Sequence, residues 1–166
     1  MIKKKKVSFS NFLSRFPEID LPVTLTDETE REISTRHDPL PMAMVDEFLG
    51  NFFPLEFIDE YTEFVPCFRL KETRKFYAVV IWVAELTKKQ FYLLTLNDKG
   101  HALQSKIIGG MILVGDKILR TAAHIDKEWL IHTVSGVAEL QNPDEGNKET
   151  ISSVIELMND GSIVQN

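Results

Sequence analysis

One cysteine, Cys67, occurs in 166 residues. No intramolecular disulfide and no paired-cysteine zinc knuckle can form, and such cysteine usage fits a reducing, cytoplasmic compartment. No apolar run approaches the roughly 20 residues of a helical membrane span. Glycine is scarce, and its spacing excludes the common phosphate loops. "IIGGMILVG" sets Gly109, Gly110 and Gly115 before more β-type sequence instead of at the opening of a helix. No Lys-Ser/Thr pair follows a second glycine, and no G-x-S-x-G elbow exists. "NDKGHALQ" does not continue the alternating oxygen ligands of a calcium loop. The histidines are His37, His101, His124 and His132, with no pair at the i, i+4 spacing of a zinc protease. A two-residue turn at Asp126-Lys127 sets His132 opposite Thr121, away from His124. The expectation is therefore no cofactor and no metal.

What is present is charge of one sign. The net charge is −6, and Lys3, Lys4, Lys5 and Lys6 supply +4 of the total, leaving −10 for the rest. An acidic body repels nucleic-acid phosphates and anionic lipid and attracts basic proteins. "KKKK" resembles the start of a signal peptide, but "VSFSNFLSRFPEIDLP" lacks the apolar stretch that must follow. Residues 1–7 are read as a frayed basic tail. The 43% hydrophobic and 27% charged content suits a single globular domain over 1–166.

Residues 8–63 read as a helical lead. Ser8 or Ser10 can cap "NFLSRF", which Pro17 closes. "DLPVTL" is extended. Thr26 can cap "DETEREIST", a polar surface helix with Ile33 as its main apolar contact. In "MAMVDEFLGNFF", Val45, Phe48, Leu49 and Phe52 recur at i, i+3, i+4, i+7, the spacing of a face that packs on a sheet, and Gly50 marks its end. From Phe64 the chain becomes a run of short β-branched and aromatic segments with links too short for crossovers, so neighbouring strands are antiparallel. The fold class is α+β: short helices packed on an antiparallel meander of six to eight strands over 64–166.

Within the meander, "YAVVIWVA" is apolar on both parities and reads as a central strand. "KILRTAAHI" carries Arg120 and His124 on one parity and reads as nearer an edge. Asn97 and Gly100 suit a hairpin turn with positive φ at the glycine, and Gly109-Gly110 a bend or bulge. Cys67 lies in an apolar strand with nothing beside it to activate a thiol, and reads as a buried small hydrophobe.

"FPEIDLPVTL", a helical segment, "YLLTLNDKGHALQSKII" and the closing "ELMNDGSIV" together resemble small bacterial proteins with an N-terminal helical lead and a β-meander. The resemblance implies a fold and no activity.

Three functions are compatible with these observations. The first is a non-catalytic protein-binding module, an acidic inhibitor or immunity-type protein that masks a basic partner. Its contact residues are Glu56, Asp59, Glu60 and Glu63, which are interleaved with aromatics. The second is a binder of a small apolar ligand, held between helices and sheet by Phe48, Phe52, Phe53, Phe57, Tyr61 and Phe64. The third is an enzyme of unrecognised type using Cys67 or a histidine.

Overall fold

The computed structural model describes residues 7–54, 56, 58–141 and 150–165. Lys3 to Lys6 and Phe57 lie outside the described residues. Helix α1 (Phe9–Ser14) starts at Ser8, whose Oγ accepts the Asn11 N–H at 3.1 Å. Strands β1 (Glu18–Ile19) and β2 (Val23–Leu25) follow, then α2 (Asp27–Arg36). At its start the Thr26 N–H donates to Thr29 Oγ1 at 3.0 Å, and Asp27, Glu28 and Glu30 occupy the first turn, where the helix dipole favours carboxylates. Helix α3 (Met42–Met44) runs on as a π-helical turn over Val45–Leu49 and stops at Gly50.

The meander comprises β3 (Glu63–Leu70), β4 (Tyr77–Ala84), β5 (Lys88–Leu96), β6 (Ala102–Val114), β7 (Lys117–Ile125), β8 (Leu130–Glu139), β9 (Thr150–Leu157) and β10 (Ile163–Gln165). Their order in the sheet follows the chain, with β1 added beside β3 and β2 beside β7. Every pairing is antiparallel except β1 with β3. The α+β class stands, but among the described residues the sheet has ten strands, more than the expected six to eight. The two extra strands come from the lead. They span only two and three residues, too few to carry a period, and their partners are remote in sequence: Glu18 pairs with Arg69, and Val23 with Ile125.

The sheet curls over so that its two halves share a core. On the inner side, Val80, Trp82, Phe91 and Leu93 pack with Ala123, Ile125, Ile131 and Ile155, and Leu25 and Ile33 join them. On the outer side of β3–β5, α1 and α3 lay Phe12, Phe16, Val45, Phe48 and Leu49 against Val79, Ile81, Val83, Leu94 and Leu96. Strand β4 is thus covered on both faces, which explains its two apolar parities.

The curl is made in β6. Its residues from Ala102 to Ile112 pair with β5, but only Gly110 to Val114 pair with β7. The register slips one residue beside Phe91, and Gly110 has φ 117°. A Cβ there would overlap the Lys89 carbonyl oxygen, so only glycine fits. Beyond this split, β2 takes the edge of β7 that β6 has left, pairing Leu25 with Ala123 and Val23 with Ile125. Strand β7 is therefore internal, not near an edge. Arg120 and His124 are exposed although the strand is internal.

Candidate functional site

The four carboxylates singled out from the sequence lie where the chain leaves α3 and enters β3, and Glu56, Asp59, Glu60 and Glu63 are all exposed. None of them forms an ion pair among the described residues. Asp59 has a local task as well: its Oδ1 accepts the Tyr61 N–H and the Thr62 hydroxyl, both at 2.9 Å, and so shapes the turn into β3. Beside them Tyr61 is 60% exposed, and Leu86, in the β4–β5 turn, 73%. The aromatics divide between two roles. Phe48 and Phe64 are buried in the outer core. Phe52 and Phe53 are half-buried, and with Ile58, Phe64 and Tyr92 they line a groove of about 140 Å³ whose rim carries Glu85 and Lys88. Phe53 meets Phe64 and Tyr92 edge to face, at 5.2 and 4.9 Å between centroids, so the groove walls are held by packing.

Cys67 is the extra residue of a bulge in β3, between Pro66 opposite Ile81 and Phe68 opposite Val80. Its side chain points into the inner core, and burial pushes the thiol far above its ordinary pKa. The histidines are dispersed. His37 Nδ1 is 2.8 Å from the Pro66 carbonyl oxygen, and His101 closes the β5–β6 turn beside Asn97. His132 stands directly opposite His124, a register that corrects the expected pairing with Thr121. The loop is Lys127–Glu128–Trp129, one residue longer than a two-residue turn, and Trp129 takes the left-handed position at φ 64°. Among the described residues no group of three or more His, Cys, Asp or Glu side chains is placed to hold a metal ion. Nor is any helix among them long and apolar enough to cross a membrane.

A second concave site was not read from the sequence. Helix α2 lies beside the sheet where β4 to β7 adjoin, leaving a cleft of about 230 Å³. One wall is Asp27, Glu30, Arg31 and Ser34, the i, i+3, i+4, i+7 stripe of α2. The floor is a cross-strand row, Lys89, Met111 and Arg120, with Trp82 beside it. Glu30 Oε1 and Trp82 Nε1 are both buried here, and the indole N–H faces the Glu30 carboxylate without reaching a well-formed hydrogen bond. Burial pushes the Glu30 carboxyl above its ordinary pKa, while the neighbouring Trp82 N–H, Arg120 and Lys89 pull it back without cancelling the effect. The helical spacing of the four polar residues was the available signal. It reads as a solvated face unless the strand register that brings Lys89 and Arg120 beneath it is known.

Comparison of the chain with protein-family models, with curated proteins and with solved structures finds no match.

Proposed function

We propose that the protein is a non-catalytic binding module whose acidic face receives a basic protein. One observation carries the reading: exposed Tyr61 and Leu86, a side-chain-sized aromatic groove and four carboxylates that form no ion pair among the described residues all meet where β3 and the β4–β5 turn adjoin. Interfaces of this kind combine an apolar anchor that fills a pocket with a charged rim that steers encounter. The partner accordingly presents lysine or arginine around one apolar or aromatic side chain that enters the groove. The −10 charge outside the lysine tail supports the same sign of steering. The alternative, a small apolar ligand in the same groove, is less well supported: about 140 Å³ suits one side chain better than the roughly 300–1,000 Å³ of ligand pockets.

The test is kinetic. A partner captured from the native host at low salt is purified and its binding measured against ionic strength and substitution. Association is expected to slow as salt passes about 0.1 M, where charges are screened over about 10 Å. Charge reversal at Glu56, Asp59, Glu60 and Glu63 should slow association, and Tyr61→Ala and Leu86→Ala should speed dissociation. A partner indifferent to salt and to all six substitutions would sink the reading.

A further inference from the structure

The register of β7 and β8 places two imidazoles next to each other on one side of the sheet. Thr24, His124, His132 and Val154 form a cross-strand row over β2, β7, β8 and β9. Both histidines are exposed, so a hydrated ion can reach them. Each ring is held through one nitrogen only. His124 Nδ1 lies 2.9 Å from Thr24 Oγ1, and His132 Nε2 lies 3.1 Å from Asp126 Oδ2. An ionised carboxylate only accepts, so a neutral His132 donates from Nε2 and keeps a lone pair on Nδ1. His124 can donate from Nδ1 to the Thr24 hydroxyl, which leaves a lone pair on Nε2. Metal-binding histidines are oriented in this way: one ring N–H goes to a carboxylate or another acceptor, and the opposite nitrogen coordinates.

We propose that His124 Nε2 and His132 Nδ1 bind one late transition-metal cation, of the zinc or copper class. The spacing suits this. Two imidazoles that each hold an ion at about 2.0–2.1 Å have ring centroids roughly 5–6.5 Å apart. Here the centroids are 6.5 Å apart, the open end of that range, and a small side-chain rotation closes the pair on the ion. The Asp126 carboxylate raises the basicity of the His132 ring to which it is bonded, and Thr24 holds the His124 ring in place. Imidazole nitrogen selects zinc, copper and nickel over magnesium and calcium, which take oxygen ligands. No third His, Cys, Asp or Glu side chain joins the pair among the described residues. The ion therefore keeps its other positions for water or an external ligand, as open zinc sites do. A pairing of His132 with Thr121 would have kept the two rings apart; the longer loop removes that obstacle.

The probe is the zinc ion, which is diamagnetic, titrated into the full chain while the ring nitrogens of the four histidines are followed by ¹H–¹⁵N correlation. The expected result is one ion per chain, with His124 Nε2 and His132 Nδ1 shifting together and His37 and His101 unmoved. Magnesium and calcium should shift none of them. By titration calorimetry, His124→Asn and His132→Asn should each weaken zinc binding at least tenfold. Thr24→Val keeps both ligands and removes only the hydroxyl that orients His124; it should weaken binding about tenfold, with the zinc-free melting temperature retained. His132 also contacts the Asp126 loop. Should its variant fail to fold, His124→Asn and Thr24→Val decide the matter: weaker binding supports the site, and unchanged binding overturns it. Absence of zinc binding overturns the proposal. So does a shift at one histidine alone, or one ion shared between two chains. Comparable shifts at all four histidines also overturn it, since they would show only adventitious binding to surface imidazole.

Discussion

His124 and His132 face each other across β7 and β8 with ring centroids 6.5 Å apart. Asp126 sets that register. Its Oδ1 accepts the N–H groups of Glu128 at 2.9 Å and Leu130 at 3.0 Å, and its Oδ2 lies 3.1 Å from His132 Nε2. These contacts hold a three-residue loop whose left-handed position is filled by Trp129, where the matching β5–β6 and β9–β10 turns use Gly100 and Gly161.

Asp126→Ala should therefore destabilise the protein by about 1–2 kcal/mol at neutral pH, since the loop loses its acceptor while keeping a tryptophan in an unfavourable conformation. The pH dependence has a definite sign. Burial pushes the Asp126 carboxyl up, but hydrogen bonds from Leu130, His132 and Glu128 outweigh it and hold the group below its ordinary value of 3.8. A carboxyl depressed in the folded state stabilises above the unfolded value and loses that contribution as pH falls through the folded one. Urea unfolding at a series of pH values should show the gap between wild type and Asp126→Ala closing below about pH 4. A gap that stays constant into acid would remove Asp126 from this role.

Three glycines with positive φ should rank by what a methyl group would meet. At Gly115, φ 61°, nothing lies within 4 Å, so Gly115→Ala costs only the left-handed backbone, about 1 kcal/mol. At Gly100, φ 84°, a Cβ would stand 2.8 Å from Phe9 Cδ1 and 3.1 Å from Phe48 Cε1. Those rings belong to the outer core and yield only in part, so Gly100→Ala should cost about 2 kcal/mol. At Gly110 the obstacle is the β5 backbone at Lys89 and Gln90, which cannot withdraw without opening the sheet. Gly110→Ala should cost about 3 kcal/mol or more, or prevent folding. Thermal melts of the three variants give the order directly, and equal losses would contradict it.

The same contrast between local and remote causes separates what was legible in the sequence from what was not. Ser8 as a cap, the Val45–Phe48–Leu49 face, the two apolar parities of β4 and the φ of Gly100 each depend on residues within a few positions, and each was readable. Strands β1 and β2 depend on Arg69 and Ile125, far along the chain, and were missed as strands. The His124–His132 register turned on a loop one residue longer, and starting one residue later, than a two-residue turn at Asp126-Lys127. The α2 cleft needed both: the stripe of Asp27, Glu30, Arg31 and Ser34 is local, but Lys89 and Arg120 come beneath it only through the pairing of β5, β6 and β7. Glu56, Asp59, Glu60 and Glu63 were identifiable as exposed because carboxylates seldom sit elsewhere. Their neighbour Leu86 was not, since its place beside them follows from Glu63 pairing with Ala84.

The last prediction separates the two halves of Trp82. Its ring is buried against the inner core, so Trp82→Ala should cost roughly 3–5 kcal/mol. Trp82→Phe keeps most of the ring contact and deletes only the N–H, which faces the Glu30 carboxylate without reaching a well-formed hydrogen bond. Removing a poorly bonded buried donor returns part of what the lost volume costs, so Trp82→Phe should destabilise by about 1 kcal/mol or less. The opposite case is distinguishable. Were the indole hydrogen-bonded to Glu30, Trp82→Phe would strand a buried carboxylate oxygen and add about 1–3 kcal/mol to the loss. Denaturant unfolding followed by far-ultraviolet circular dichroism measures both variants without relying on tryptophan emission. A Trp82→Phe variant that loses as much as Trp82→Ala would show that the N–H is already satisfied by the protein, and that Glu30 and Trp82 form a well-made pair instead of a poorly bonded contact.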